Sequence, residues 1–337
     1  MKNIFVTGCT GYIGSHTCVE LLNNGYNVIG LDNFSNSKKD VLDKINTITG
    51  KTIKFYEGNM LDKELLTKIF KENKIDGVID FAAYKSVGDS VTHPIEYYTN
   101  NVSSVLTLLD IMKTNNVKTI IFSSSATVYG NPKIIPITEE CEIGGTTNPY
   151  GTSKLFVEKI LNDLYISDNS WKICIFRYFN PVGAHPSGII GENPSGIPAN
   201  LMPFIAKVAI GELEHLNIFG NDYDTKDGTG VRDYIHIMDL ASAHIAGIKK
   251  LEQMDKGLKV YNLGTGIGYT VLEMVESFEK VNNVKVPYKI VDRRPGDIAT
   301  CYADSSLAQK ELNWNSVKTL EDMCKDSYNF ILKNRNL

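Results

Sequence analysis

Tyr150 and Lys154 stand four residues apart in Tyr150-Gly-Thr-Ser-Lys154, at the start of a helical pattern, so a phenol and an ammonium share one helix face one turn apart. Such a pair can move protons. A tyrosine with a pKa of ~10 is a poor base at neutral pH, and an adjacent cation is expected to bring it into range. With 17 tyrosines and thirty lysines in 337 residues, chance alone supplies about 1.5 such pairs, so placement has to decide. The strand-like run ahead of the pair ends in Phe122-Ser-Ser-Ser-Ala-Thr-Val-Tyr-Gly130. That brings hydroxyls to the carboxyl edge of a sheet, where doubly wound folds bind ligands. Ser125 is the candidate third member.

A second constellation opens the chain. Gly8-Cys9-Thr10-Gly11-Tyr12-Ile13-Gly14 follows a strand and begins a helix, the context a dinucleotide loop requires. Gly8 allows the tight turn, Gly11 lets the backbone approach a pyrophosphate, and Gly14 lets helix and strand pack closely. Asp32 ends the next strand, 18 residues past Gly14. A carboxylate there accepts from a ribose and repels a 2′-phosphate, which selects NAD over NADP.

The elements that must hold these groups are legible as short β-branched runs alternating with helical patterns. Strands are expected at Asn3–Thr7, Asn27–Leu31, Ile53–Glu57, Gly77–Phe81, Lys118–Ser123 and Lys172–Arg177, with helices at Ile13–Asn23, Lys63–Lys71, Pro94–Thr114 and Tyr150–Asp163. This predicts an α/β fold with a doubly wound parallel sheet and a Rossmann-like first domain over 1–180. After a Gly- and Pro-rich stretch, residues 181–337 mix short strands (Leu216–Phe219, Val260–Leu263, Tyr288–Val291) with helices near 200–210, 239–251, 270–281, 305–312 and 319–333. A smaller mixed α/β domain is expected there, with parts of about 233–265 rejoining the first.

Composition narrows the partners. The chain carries 35 Lys plus Arg against 39 Asp plus Glu, a net charge of −4, so no positive surplus exists to track nucleic acid. No apolar run reaches the ~20 residues of a membrane span, and Met1-Lys2-Asn3 does not begin a secretory signal, so a cytoplasmic protein is expected. The six scattered cysteines form no C-x-x-C pair and read as reduced thiols. The histidines show no ligand spacing, and in Asp222, Asp224 and Asp227 a lysine interrupts the calcium-loop pattern, so no metal is expected. Only five residues are arginine, and Arg177, Arg232, Arg293 and Arg294 fall in distinctive segments. Their rigid forks suit phosphate oxygens, although for Arg177 and Arg293 a surface ion pair is the competing reading.

Taken with Arg177-Tyr-Phe-Asn-Pro-Val-Gly-Ala-His-Pro186, Gly196-Ile-Pro-Ala-Asn-Leu-Met-Pro203 and the run from Phe219 to His236, these motifs resemble the extended short-chain dehydrogenase/reductases, and within them the UDP-glucose (UDP-galactose) 4-epimerase family. The resemblance covers about residues 3 to 333. It implies NAD contacts at Gly8, Gly11, Tyr12, Ile13, Gly14, Asp32, Asn33, Asn36, Ser37, Asn59, Met60, Phe81, Ala82, Lys85, Asn100, Ser125, Tyr150, Lys154 and Tyr178. It implies UDP-sugar contacts at Lys85, Ser125, Tyr150, Asn180, Asn200, Leu201, Asn217, Phe219, Arg232, Arg294, Asp297 and Cys301. Asn59 departs from the aspartate that the family often places against the adenine, although an amide oxygen can still accept.

The activity so implied is C4 epimerisation. Tyr150 takes the 4-OH proton while NAD takes the C4 hydride. The 4-keto sugar rotates, and the hydride returns to the opposite face, with Ser125 orienting the oxygen and Lys154 lowering the Tyr150 pKa. Related dehydratases carry a carboxyl pair, and decarboxylases a glutamate, just before Val-Tyr-Gly; here those positions are Ala126 and Thr127. A non-catalytic dinucleotide sensor is expected to have lost part of the triad, which is intact. The small Cys301 stands where hexose-restricted relatives tend to place tyrosine, so UDP-GlcNAc and UDP-GalNAc are expected substrates too. The resemblance also implies a homodimer through the helices at Pro94–Thr114 and Leu155–Leu164, whose apolar residues Val102, Val105, Leu106 and Leu109 read equally as core.

Overall fold

The computed structural model describes residues 2–194, 196, 198–294 and 296–335. Ile197, inside one of the segments singled out above, and Pro295 lie outside the described residues. The first half runs β1 (Asn3–Thr7), α1 (Tyr12–Asn23), β2 (Asn27–Asp32), α2 (Asp40–Thr49), β3 (Lys54–Glu57), α3 (Lys63–Glu72) and β4 (Gly77–Asp80). It continues through α4 (Val87–Thr92), α5 (Pro94–Tyr98), α6 (Ser104–Thr114), β5 (Thr119–Ser125), α7 (Pro149–Ser167) and β6 (Lys172–Tyr178). Then come β7 (Asn180–Val182), α8 (Leu201–Ala209), β8 (Leu216–Phe219), β9 (Val231–His236), α9 (Ile237–Gln253) and β10 (Gly257–Leu263). The chain closes with β11 (Gly268–Thr270), α10 (Val271–Asn282), β12 (Tyr288–Val291), β13 (Thr300–Cys301), α11 (Ser306–Leu312) and α12 (Leu320–Lys333).

Seven strands form one parallel sheet in the order β10-β6-β5-β4-β1-β2-β3. Side chains alternate between its faces, as the two-residue period of a strand requires. Ile4 and Val6 join a core with α1 and α9 residues such as Val19 and Leu240, while Phe5 joins the opposite core with Leu66 and Leu108. Both faces are covered, which is why these strands read as nearly continuous apolar runs. The reversal of strand order between β1 and β4 leaves a crevice at their carboxyl ends.

The helix expected over Pro94–Thr114 is interrupted. A π turn at Thr99–Ser103 separates α5 from α6. Within it Asn101, buried, receives the Tyr84 N–H at 2.8 Å and donates to the Tyr84 carbonyl at 2.9 Å and to Ser153 Oγ at 3.1 Å. One amide thereby ties the loop after β4 to α7. The apolar stripe also divides: Val105 and Leu109 are buried against the sheet, whereas Leu106, Ile95 and Phe156 are exposed. Val105 and Leu109 are core residues.

In the second layer β9 pairs with β7, β11 and β13, and β8 pairs with β12. Asp233, buried on β9, accepts from the N–H groups of Thr265 at 2.7 Å, Gly266 at 3.0 Å and Ala303 at 3.1 Å. That one carboxylate fixes the ends of β10 and β13 relative to β9.

Candidate active site

The crevice is one continuous cavity of about 1070 Å³, and every candidate cofactor and sugar-nucleotide residue named above lines it. At its first end the turn after β1 has no room for side chains. A Cβ on Gly14 would lie 2.1 Å from the Gly8 carbonyl oxygen, and Gly8 itself has φ +63°, where a Cβ would lie 3.0 Å from the Ala82 nitrogen. Gly11 caps α1, so the free N–H groups of the helix start face the cavity. Asp32 accepts from the N–H groups of Thr10 at 3.0 Å and Phe34 at 2.8 Å and from Ser37 Oγ at 3.3 Å. A bare glycine cradle beneath a helix N-terminus, with a fixed carboxylate at the next strand end, fits a dinucleotide diphosphate and ribose. The Asn59 amide oxygen receives the Leu61 N–H at 2.8 Å, which leaves its second lone pair and the Nδ2 group for the cavity.

In the middle of the cavity lie the proton-handling groups. Asn148 caps α7 by accepting the Gly151 N–H at 2.8 Å, and Pro149 occupies the first turn, so Tyr150, Lys154 and Glu158 follow on one face. Ser125 ends β5, where its Oγ accepts from the Thr127 N–H at 3.2 Å and the Thr127 hydroxyl at 3.0 Å.

The protein groups acting on Tyr150 do not include Lys154. Lys154 Nζ donates to the Ser123 carbonyl at 2.6 Å and lies 4.9 Å from the centre of the Phe122 ring. Burial lowers its pKa to about 8, against the support of Asp80 and Glu158. Burial raises that of Tyr150, with Ser125 as the opposing influence. The protein groups alone therefore favour a neutral phenol.

Tyr178 donates to His244 Nε2 at 2.6 Å, and the His244 ring packs on Phe81 with centroids 4.9 Å apart. The absence of ligand spacing among the histidines gives no hint of this role for His244, because Tyr178 and Phe81 lie far away in the sequence.

At the far end Arg232 and Cys301 are register neighbours on β9 and β13. Arg294 donates to Asp297 at 3.1 Å and stacks 4.5 Å from the Phe219 ring centre, and Asp297 reaches Arg232 at 3.9 Å. Asn180, Asn200, Leu201 and Asn217 complete that wall. Arg177 and Arg293 stand apart. Arg177 is buried against Glu158 at 2.7 Å and donates to Tyr129 Oη at 2.9 Å, and Arg293 pairs with exposed Asp222 at 2.7 Å. Arg293 makes the surface ion pair of the competing reading, the Arg177 pair is a buried one, and neither arginine lines the cavity.

Residues 5–327 match the family model described as GDP-mannose 4,6 dehydratase. The UDP-glucose 4-epimerase of Pasteurella multocida is 59% identical over 331 residues, 98% of each chain. The chain belongs to the UDP-glucose 4-epimerase family. The Bacillus subtilis member is 56% identical over 99% of this chain and 98% of its own length. The crystal structure of the Bifidobacterium longum UDP-glucose 4-epimerase in complex with NAD+ and UDP superimposes with a TM-score of 0.96 at 57% identity, covering 99% of each chain. Among the described residues no helix is long and apolar enough to cross a membrane.

Proposed function

We propose that this chain interconverts UDP-glucose and UDP-galactose with NAD as resident cofactor. The observation that carries this reading is the single cavity: a glycine cradle at one end, Arg232 and Arg294 at the other, and Ser125, Tyr150 and Lys154 between them. The α1 N-terminus, Asp32, Phe81 and Tyr178 would hold NAD, which when bound would supply a reversible hydride acceptor and a positive charge. Tyr150 takes the proton from the sugar 4-OH and gives it back after inversion. Ser125 holds that oxygen, and Lys154, fixed by Ser123, holds the cofactor ribose. The two arginines grip the diphosphate, so that the sugar ring can turn while its anchor stays.

The dehydratase reading suggested by the family model's description lacks its acid–base carboxyls. Positions 126 and 127 carry alanine and threonine, and the Thr127 hydroxyl is spent on Ser125. We further assign residues 1–180, with parts of about 233–265, to cofactor binding and the rest of 181–337 mainly to the UDP-sugar. Ile95, Leu106 and Phe156 are exposed apolar residues on α5, α6 and α7, the segments the resemblance assigns to the subunit contact, which supports a homodimer. The small side chain of Cys301 supports N-acetylhexosamine substrates as well. The test of the main reading is incubation of purified protein with UDP-galactose without added NAD. UDP-glucose should form; no epimer with or without NAD overturns it.

A further inference from the structure

Glu192 occupies a position that the proton-transfer chemistry does not require. It lies in the connection between β7 and α8, its side chain is 8% accessible, and it lines the cavity. Its Oε1 accepts from Lys85 Nζ at 2.6 Å and from Asn200 Nδ2 at 2.6 Å. Lys85 comes from the loop after β4 and Asn200 caps α8, so this carboxylate joins the cofactor-side wall to the substrate-side wall. The backbone beside Lys85 is already pinned by Asn101 through Tyr84. What stays adjustable is the lysine's four-carbon stem, which loses much rotamer freedom when its end is held.

We propose that Glu192 is a positioning residue: a brace that holds the Lys85 ammonium and the Asn200 amide on the sugar nucleotide. The inference rests on the reading above. A lysine has three N–H donors and an asparagine amide two. Glu192 takes one from each and leaves the others for the ligand. Because the carboxylate is enclosed while the Lys85 side chain is 45% accessible, the brace sits behind and the donors sit in front.

A carboxylate beside an anion-binding cleft has an opposite default effect. If Glu192 were a bystander, removing its charge would relieve repulsion and tighten binding of a nucleoside diphosphate. The two ideas differ in sign. UDP binding is measured on full-length protein carrying its own NAD, by calorimetry, for wild type, Glu192→Gln, Lys85→Met and the double variant. The brace predicts that Glu192→Gln raises the Kd for UDP by about three- to thirty-fold, the scale of a charge-assisted hydrogen bond. KM for UDP-galactose should follow while kcat changes less and NAD content stays at the wild-type level.

In the Lys85→Met background the same substitution should have little further effect, since the group being positioned is gone. Unchanged or tighter UDP binding in Glu192→Gln overturns the proposal, as does an equal loss in both backgrounds. Wild type that binds UDP without epimerising it sinks the functional reading and leaves the brace standing. Wild type that does not bind UDP sinks both.

Discussion

The phenol of Tyr178 donates to Nε2 of His244 at 2.6 Å, and Nδ1 of the same ring donates to the Leu240 carbonyl at 2.8 Å. The second bond fixes the tautomer, so Nε2 must be the acceptor. Burial lowers the His244 pKa to about 4, which keeps the ring neutral and the acceptor available. Removing it takes away the acceptor of a buried hydroxyl, at a cost of about 1–3 kcal/mol. His244→Met should therefore lower stability by that amount and shed NAD on gel filtration faster than wild type. His244→Gln, which retains an acceptor, should recover most of the retention. A Met variant that keeps NAD as long as wild type would remove His244 from this role.

Lys154 leads to a pH prediction. Its folded pKa is about 8 against an ordinary 10.5, so the ammonium is present below pH 8 and lost above it. If that charge supports proton transfer, kcat should fall as pH rises through about 8. Lys154→Arg keeps its charge to far higher pH, so its lower activity should lack that alkaline limb. The same limb in both proteins would show that another group causes it. Stability has the opposite sign. Between pH 8 and 10.5 the unfolded chain binds the proton that the folded chain has lost, so this residue's contribution becomes more favourable with rising pH.

Arg177 and Glu158 make a separate, structural prediction. Their side chains are 5% and 4% accessible, with bonds at 3.1 and 2.7 Å between guanidinium and carboxylate. Glu158 also accepts from Ser124, so the pair clamps α7 to β6, which carries Arg177, and to β5, which carries Ser123 and Ser125. Glu158→Ala strands a buried cation and should cost about 3–5 kcal/mol in denaturant unfolding. Combining Glu158→Leu with Arg177→Met should recover most of that loss. A loss below 1 kcal/mol for the single variant would show the pair to be poorly coupled.

What was readable in the sequence was what is local. The glycine loop, Asp32 and Tyr150–Lys154 announce themselves because strand, turn and helix neighbours carry their context within a few residues. Arg177 was ambiguous because its partner Glu158 lies on another element, and scarcity of arginine says nothing about burial. The π turn at Thr99–Ser103 was invisible because apolar periodicity continues on both sides of it. Helix α2 is missing from the expected elements although Val41, Ile45 and Ile48 recur at helical spacing and pack on the core; of these only Ile45 is fully buried. Strands β7, β11 and β13 are two or three residues long and exist because β9 offers them partners. His244 meets Tyr178 66 residues away, Asn101 meets Tyr84 17 away and Glu192 meets Lys85 107 away, separations that no spacing rule finds.

Cys301 carries the substrate-range prediction. It sits on β13 opposite Arg232 in register and faces the cavity, and burial raises its thiol pKa to about 11, so at neutral pH it is a small uncharged group. Close packing makes side-chain volume decide what fits. A tyrosine at this position would fill space on the order of an acetamido group, and the surrounding strands, tied by Asp233 through Ala303, cannot easily retreat to restore it. Wild type should therefore epimerise UDP-GlcNAc as well as UDP-glucose. Cys301→Tyr should lower kcat/KM for the N-acetyl sugar by at least tenfold while changing the hexose reaction less than about threefold, the asymmetry expected when a pocket wall excludes one substituent. Both substrates should be assayed on the same preparation. Equal losses would mean that the tyrosine disturbs Arg232 and the diphosphate grip, and absence of N-acetyl turnover in wild type would place the size limit on another side chain.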